Sequence, residues 1–391
     1  MEKKAILKTT LVFLFILLFF SCKQNEPDEG FETTEQKYTT EIHNYLKKKY
    51  DIKTALSVGI KGKDFSFHLN SGYSSLQNKM ENTDETLHYV YSISKTFVAS
   101  LILKLIDENK LTLKTKLSDY FTDLNETYIN IEATIEDLLT HKSGIQDFVN
   151  NSKLLYENPF LNAEWNPAFL LNLIKTPATE IGQFSYSSTN YILLGMIIEK
   201  VTGQKVNELL GEAFLKPLNL SNTKLPPQDT VEYEKISHPH VYPNTDFSLV
   251  GDEKNPIDIT SVIPTNGIEL IGKSSWAAGG MVSKANEIAH WGYDLFSQNG
   301  KVAKPIKDAI FNSVKDFTKE DAEAYGFGGR KIFYKDEYFI GSYGRSIGSE
   351  NCMFYNPTKD ICITILTSSN STKDGLPNID ELLFLLYEAS V

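Results

Sequence analysis

The chain has 391 residues, of which 41% are hydrophobic and 12% aromatic, and its formal net charge is −11 at pH 7. This length and composition predict a globular protein with one large domain or two of ordinary size. The acidic balance argues against a nucleic-acid-binding surface, which needs clustered Lys and Arg. After residue 22, no segment is apolar for the roughly 20 residues that a membrane span requires.

Residues 1–22 have the pattern of an export signal. Three lysines in the first eight residues precede an unbroken apolar run from Leu11 to Phe20, which is typical of a secretory signal peptide and too short to span a bilayer. Ser21 and Cys22 then resemble the end of a bacterial lipobox, although Phe19 and Phe20 stand where smaller or aliphatic residues are usual. The resemblance implies that Cys22 is lipidated and anchors the chain to a membrane. A buried hydrophobic helix is the alternative.

The acidic segment 23–37 has no regular spacing of apolar residues, which predicts a solvated tether. Acidic residues directly after a lipidated Cys resemble a surface-export signal of some bacterial lineages. We therefore expect an exported bacterial lipoprotein of the cell envelope, either periplasmic or on the outer-membrane surface. Residues 38–391 are expected to form one folded domain.

The first elements of that domain are read from hydrophobic periodicity. Residues 38–50 predict an amphipathic helix, and the runs 55–60 and 65–69 predict a strand–turn–strand unit. From Ser92 to Ile106, apolar residues recur at helical spacing and form a wide apolar face, which predicts a deeply packed helix. Residues 135–220 are mostly helical in pattern.

The end of the chain alternates strands. Residues 277–296 predict a strand or loop that turns into a helix, the segment 329–370 predicts four strands, and 379–390 predicts a final helix. The sequence therefore predicts an α+β fold, in which both termini build one antiparallel sheet. Helices flank this sheet, a mostly helical region is inserted, and a cleft lies where the two parts meet.

Cys352 and Cys362 flank a predicted hairpin and could lie near each other on adjacent strands. No histidine stands near them, so they do not form a metal site. We expect two buried free thiols, and a disulfide between them is the alternative.

The spacing Ser-x-x-Lys occurs twice, at Ser92/Lys95 and at Ser221/Lys224. The second pair lies in a polar loop and predicts only a turn. Ser92 and Lys95 open the buried helix, so they fall one turn apart on the same face. The helix N-terminus also offers unpaired backbone N–H groups for a developing oxyanion. The alternative is a helix cap with an exposed lysine.

Tyr186 stands in a short polar turn just before a second strongly apolar helix. A neighbouring ammonium favours the phenolate form of a tyrosine. Such a tyrosine can accept the proton of a serine and return it to a leaving group.

Five blocks now resemble the serine beta-lactamase and DD-peptidase superfamily, and they fit its class C branch best. In chain order they are "SISKTF", "IEDLLTHKSGI", "FSYSSTNYILLG", "AAGGMVSKANEIAHWG" and "IGSYGRSIGSENCMFYNP". The resemblance implies that Ser92 is the acylated nucleophile and that Lys95 and Tyr186 share the proton transfers. His141 resembles a packing position of the family.

The chain departs from the second family motif, which is usually Tyr-x-Asn and here reads Tyr186-Ser187-Ser188. The hydroxyl of Ser188 can still bond Lys95 or a substrate carbonyl, although with a shorter reach than an amide. An alternative alignment takes Ser188 to Asn190 as a Ser-x-Asn motif, which would place Asn190 inside the helix.

The third motif departs further, because Lys-Thr-Gly or His-x-Gly is replaced by Ser342-Tyr343-Gly344. The lost Lys or His would hold a substrate carboxylate, which argues against D-Ala-D-Ala peptides or penicillins as good substrates. Gly344 would allow close approach of a substrate, and the alignment implies that the backbone N–H of Arg345 completes the oxyanion site. The Arg345 side chain either restores the missing charge or is an exposed strand-end arginine.

The sequence thus predicts a serine hydrolase that forms an acyl-enzyme on an ester or amide, of DD-carboxypeptidase, D-aminopeptidase or esterase type. The alternatives are a catalytically idle binding or sensor protein of the same fold and a true class C beta-lactamase. No metal or cofactor is implied. The expected partners are a small-molecule or peptide substrate and the membrane through Cys22.

Overall fold

The computed structural model describes residues 34–151, 165–241, 256–262, 267–321, 325–369 and 378–390. Its central element is a six-stranded antiparallel sheet in the order β2–β1–β12–β11–β10–β9. Strands from both ends of the chain build this sheet, as the sequence predicts. Their bounds are β1 (Leu56–Gly62), β2 (Ser66–Ser71), β9 (Arg330–Tyr334), β10 (Glu337–Ser346), β11 (Ser349–Asn356) and β12 (Ile361–Thr367).

The other strands form three small antiparallel pairs. They are β3 (Tyr73–Ser75) with β4 (Met80–Glu81), β5 (His88–Tyr89) with β8 (Val282–Ser283), and β6 (His240–Val241) with β7 (Ile257–Asp258).

Helices cover both faces of the sheet. In chain order they are α1 (Thr34–Lys49), α2 (Ser94–Asp107), α3 (Ile135–Leu139), α4 (Ala168–Leu171), α5 (Thr189–Thr202), α6 (Val206–Leu210), α7 (Ile259–Val262), α8 (Gly267–Gly279), α9 (Ala285–Phe296), α10 (Lys304–Val314) and α11 (Ile379–Ala389). A π-helical turn, Gly211–Leu215, continues α6. In the described part of the region predicted to be mostly helical, 135–220, the regular elements are helices and helical turns with long irregular segments between them, and the closing helix α11 is confirmed.

The two faces of the sheet bury two separate hydrophobic clusters. One face packs against α1 and α11, through residues such as Leu46 and Leu383. The other packs against α9 and the inserted helices, through residues such as Trp291 and Phe97. Because side chains alternate between the faces of a strand and both faces are covered, the central strand β12 is buried at every position.

The alternation of side chains also decides whether Cys352 and Cys362 can form a disulfide. Cys352 on β11 belongs to the cluster with α1 and α11, whereas Cys362 on β12 belongs to the cluster with α9. The two thiols therefore lie on opposite faces of the sheet. Both are free and buried, which confirms the expectation of free thiols and excludes the disulfide.

The N-terminal boundary differs from the prediction. Helix α1 begins at Thr34, so residues 34–37 of the predicted tether are helical, and the expected helix start at 38 is late. The predicted signal peptide, Cys22 and the tether up to residue 33 lie outside the described residues. No helix in the described ranges combines the length and the hydropathy needed to cross a membrane.

Candidate active site

Ser92 lies in a 3-10 turn, Tyr91–Ile93, directly before α2. The sequence predicts helix from Ser92, but the α-helix begins two residues later, at Ser94. Tyr91 has a φ of 46°, a left-handed conformation that costs a non-glycine residue free energy and is often found at functional sites. The turn thus places the half-buried Ser92 at the N-terminal end of α2, where backbone N–H groups carry partial positive charge.

Lys95 is one helical turn further along and its side chain is completely buried. Its Nζ donates to Ser92 Oγ at 3.0 Å and to the carbonyl oxygen of Ala278 at 2.7 Å. Ala278 follows Trp276, whose φ of 31° interrupts the geometry of α8. The carbonyl oxygen of Ala278, two residues after this break, accepts the hydrogen bond from Lys95 Nζ. The end of α8 therefore holds the Lys95 amine beside Ser92.

Tyr186 completes the group from a distant part of the sequence. Its hydroxyl donates to Ser92 Oγ at 2.9 Å, and Lys95 Nζ lies 5.1 Å from its ring centroid. The structure therefore brings Ser92, Lys95 and Tyr186 together as the sequence predicts. Two proton-carrying groups meet one serine hydroxyl, which is the arrangement that an activated nucleophile needs.

His141 packs behind Tyr186, with 4.2 Å between the ring centroids. Its Nδ1 accepts the backbone N–H of Ser187 at 3.1 Å, which places the ring proton on Nε2 in the neutral tautomer. Burial, helped by the positive charge of Lys95, lowers the pKa of His141 well below its usual value. The ring therefore stays neutral and supports the Tyr186 turn from the packing position that the sequence predicts.

Tyr325 is a member of this ring cluster that the sequence analysis misses. Its ring centroid lies 4.6 Å from that of His141 and 5.8 Å from that of Tyr186. Burial raises the pKa of Tyr325 well above its usual value, so its hydroxyl stays protonated. The glycines that follow it are the sequence feature that indicates close packing of this segment. Gly328 has a φ of +79°, and a Cβ there would lie 2.5 Å from Ala99 Cβ on α2.

One face of β10 lies directly against the turn that carries Ser92. The Oγ of Ser342 donates to the carbonyl oxygen of Ser92 at 3.4 Å. At Gly344 a Cβ would lie 2.1 Å from the carbonyl oxygen of Val90. Only glycine fits this approach, so Gly344 has a packing reason as well as the predicted role beside a substrate.

Tyr343 and Arg345 point to the other face, because side chains alternate along a strand. The Tyr343 hydroxyl donates to Asp380 at the start of α11. Arg345 Nε pairs with Glu350 Oε1 at 2.7 Å, and its guanidinium lies 4.4 Å from the Tyr343 ring centroid. The Tyr343 side chain therefore does not take the substrate-binding position that the sequence predicts. The Arg345 side chain does not replace the missing cation.

The predicted role of the Arg345 backbone stays a prediction, and the topology is compatible with it. Strand β9 pairs with β10 only as far as Gly341. Beyond that point, β10 has no partner strand on this side among the described residues. Residues 342–346 therefore form an open strand edge beside the nucleophile turn.

Ser188 does not bond Lys95 in the described part of the chain. Its carbonyl oxygen instead accepts the backbone N–H of Tyr191 at 3.0 Å, and the carboxylate of Asp147 in the neighbouring segment accepts the N–H of Val149 at 3.2 Å. Burial raises the pKa of Asp147 above its usual value, although hydrogen bonding and the charge of Lys95 oppose the shift. The sequence analysis misses Asp147, because no motif spacing marks it.

The alternative Ser-x-Asn alignment does not fit the structure. Asn190 is fully buried in α5, where its Oδ1 accepts the Ser143 hydroxyl at 2.7 Å and its Nδ2 faces His141 Nδ1 at 3.3 Å. Asn190 therefore connects α5 to the segment that carries His141 and does not reach Ser92.

Across the described ranges, no group of three or more His, Cys, Asp or Glu side chains could hold a metal ion.

Comparisons with known proteins identify a family and several structures of the same fold. The family model described as Beta-lactamase matches residues 40–387. The protein flp of Staphylococcus aureus (strain NCTC 8325 / PS 47) is 24% identical over 341 residues, which cover 86% of this chain and 64% of flp. The chain thus spans less than two thirds of the length of this relative.

Solved structures with the same fold include two amidohydrolases. The D-amino acid amidase of Ochrobactrum anthropi SV3 has a TM-score of 0.72 at 20% identity, over 89% of this chain and 98% of that chain. A D-stereospecific amidohydrolase from a Streptomyces species has a TM-score of 0.65 at 19% identity, over 85% of this chain and 96% of that chain. At these identities the likeness shows the fold alone.

Proposed function

Because the chain belongs to the beta-lactamase family, we propose that it is a serine hydrolase of the D-aminopeptidase or amidase type. It cleaves an amide or ester through a covalent acyl-enzyme on Ser92. The observation that carries the proposal is the pair of hydrogen bonds to Ser92 Oγ, from Lys95 Nζ at 3.0 Å and from the Tyr186 hydroxyl at 2.9 Å.

The reaction begins when Ser92 Oγ attacks the substrate carbonyl and passes its proton to the Lys95–Tyr186 pair. The tetrahedral oxyanion is held by the backbone N–H groups of Ser92 and Arg345, at the end of α2 and the open edge of β10. The pair then returns the proton to the leaving nitrogen or oxygen, which departs and leaves an ester on Ser92. Water then attacks the ester carbonyl and gives its proton to the same pair, which returns this proton to Ser92 Oγ as the bond to the acyl group breaks and the acid product leaves.

The substrate class is inferred from the charges around Ser92. The uncharged Ser342 stands at the position of the family Lys or His, and Arg345 is engaged by Glu350. Arg330, on the neighbouring strand β9, lies 5.6 Å from the Tyr325 ring centroid and does not occupy the motif position. Substrates that need a bound carboxylate, such as DD-peptides and beta-lactams, are therefore disfavoured. The two enzymes of similar fold, a D-amino acid amidase and a D-stereospecific amidohydrolase, favour D-amino acid amides as the substrate class.

Covalent labelling tests the proposal directly. A neutral fluorophosphonate should add one mass adduct to the wild-type protein and none to Ser92→Ala. A hydrolysis screen should then compare p-nitrophenyl acetate, D- and L-alanine p-nitroanilides and nitrocefin. Wild-type protein that stays unlabelled, while a class C control is labelled under the same conditions, would contradict the proposal.

The replacement of the family Lys or His by Ser342 also favours a second candidate, a cell-envelope binding or sensor protein without turnover. The Ser92→Ala variant separates the two functions. An enzyme loses turnover and keeps only weak binding of substrate, whereas a binding protein shows no turnover before the change and retains its ligand after it.

We further propose that the protein is exported and anchored through an acylated Cys22, on the strength of the sequence pattern of residues 1–22. In a bacterial host, labelled palmitate should enter the full chain and should not enter Cys22→Ser. Equal labelling of the two chains would exclude the anchor.

A further inference from the structure

The ammonium group of Lys95 is buried, and hydrogen bonds satisfy it only in part. An ammonium carries three N–H donors, and Lys95 Nζ donates to Ser92 Oγ at 3.0 Å and to the carbonyl oxygen of Ala278 at 2.7 Å. Among the described residues, the third donor has no hydrogen-bond acceptor and no carboxylate forms an ion pair with Lys95. A charge that is removed from water is costly unless other groups compensate it.

Two aromatic rings face this amine. Lys95 Nζ lies over the Tyr186 ring, 5.1 Å from its centroid, and over the Tyr191 ring, 5.5 Å from its centroid. Both distances fall within the range of about 6 Å in which a ring face attracts a cation, and the attraction is stronger where water is excluded. The two rings come from one segment, because Tyr191 lies in the first turn of α5, directly after the turn that carries Tyr186.

The ring of Tyr191 is fixed in this position. Its side chain is fully buried, its hydroxyl donates to the carbonyl oxygen of Leu139 at 3.1 Å, and its ring centroid lies 5.4 Å from that of His141. Burial raises the pKa of Tyr191 above its usual value, so the phenol stays protonated and takes no part in proton transfer. What Tyr191 presents to Lys95 is therefore its ring face.

The second family motif explains why a ring face is needed beside this amine. The usual asparagine of the motif is replaced by Ser188, which does not bond Lys95 in the described part of the chain. The asparagine of the alternative alignment, Asn190, accepts the Ser143 hydroxyl and does not reach the nucleophile. The amine thus lacks the amide oxygen that the family motif would supply, and the Tyr191 face lies against it instead.

We propose that Tyr191 is a positioning residue for Lys95, whose ammonium its aromatic face binds in place of the amide of the family motif. This inference deepens the proposed function and rests on it. In that mechanism the Lys95–Tyr186 pair holds the serine proton while the oxyanion forms on the substrate. A ring face that stabilises positive charge beside Ser92 Oγ therefore speeds the attack, although Tyr191 itself touches no reacting atom.

Fluorinated phenylalanines separate this role from simple packing of the ring in the core. Fluorine withdraws charge from the ring face, which weakens a cation–π contact, and it changes the size of the side chain only slightly. Phenylalanine, trifluorophenylalanine and pentafluorophenylalanine are therefore placed in turn at position 191. The same series at Phe67 is the matched control, because this ring is buried on β2 in the cluster on the other face of the sheet.

The first measurement is the rate of fluorophosphonate labelling at Ser92 per folded molecule. Tyr191→Phe retains a ring face and should react nearly as fast as the wild type. Pentafluorophenylalanine at the same position should lower the rate by about 2-fold to 30-fold relative to phenylalanine, which is the range of a cation–π contact. Fluorination at Phe67 should leave the rate unchanged. Equal rates for the whole series at position 191 would overturn the positioning role and leave the hydrolase standing.

The second measurement does not depend on activity. Urea unfolding compares phenylalanine and pentafluorophenylalanine at position 191, once with Lys95 present and once in Lys95→Met. With Lys95 present, fluorination should lower the equilibrium constant for folding by about 2-fold to 30-fold more than in Lys95→Met, because only then does the ring face a charge. An equal effect in the two backgrounds would overturn the contact. Wild-type protein that is not labelled would overturn the hydrolase and the positioning role with it, whereas the coupling in unfolding would still show the contact.

Discussion

Replacing Tyr186 by phenylalanine removes one hydroxyl and keeps the ring. The lost hydrogen bond to Ser92 Oγ, at 2.9 Å, is half-exposed, so we expect a loss of about 1 kcal/mol in the free energy of unfolding. In the proposed mechanism its effect on the reaction is larger, because there the hydroxyl shares the proton of the nucleophile. Loss of one general acid–base group lowers kcat/KM by about 100-fold to 10,000-fold, which corresponds to about 3 to 5 kcal/mol of transition-state stabilisation.

Tyr191→Phe is the matched control. The Tyr191 hydroxyl donates to the carbonyl oxygen of Leu139 at 3.1 Å, and its ring centroid lies 5.5 Å from Lys95 Nζ, but it does not contact Ser92. Leaving that buried carbonyl unpaired should cost about 1 to 3 kcal/mol of stability.

The assay measures kcat/KM and the fluorophosphonate labelling rate per folded molecule, with stability taken from urea unfolding. Tyr186→Phe should be slow and nearly as stable as the wild type. Tyr191→Phe should be less stable and react at the wild-type rate. If Tyr186→Phe reacts as fast as the wild type, the phenol does not handle the serine proton and the reasoning is refuted.

Three further predictions follow from local packing and burial. Gly344→Ala should lower both stability, by about 1 to 3 kcal/mol, and the labelling of Ser92, because its Cβ would lie 2.1 Å from Val90 O; wild-type behaviour would show that β10 can move away. His88 is buried and its pKa is lowered to about 3, so the unfolded chain binds a proton below pH 6.5 that the folded chain does not. The contribution of His88 to the free energy of unfolding should therefore be complete above pH 6.5 and fall by about 1.4 kcal/mol per pH unit between pH 6 and 4. For His88→Gln, the free energy of unfolding should depend on pH with a slope smaller by that amount. An equal slope in the two proteins would contradict the buried neutral state. Cys352 and Cys362 should resist a thiol reagent in the native protein and react, without any reductant, after unfolding; a reagent that labels neither after unfolding would indicate a bond.

Some of the site could be read from short stretches of sequence, because the forces involved are local. The short apolar runs separated by turn residues in 329–370 predict the strands, and the helical period after Ser92 predicts a buried helix. The spacing of Ser92 and Lys95 fixes their relation, since residues three apart share a helix face. These inferences need no knowledge of distant residues.

Other features depend on which distant segments meet, and no local pattern determines that. Phe148 and Thr189 are joined by a hydrogen bond only because the segment after His141 folds onto the start of α5. The side chain of Tyr343 was predicted to lie at the cleft and instead lies on the opposite face, because the register of β10 places Ser342 and Gly344 against the nucleophile turn. The sequence by itself determined the secondary structure and the chemical groups available for catalysis, because both depend on local spacing. The tertiary structure decided which charges remain in the cleft, because that depends on long-range pairing, burial and the choice of strand face.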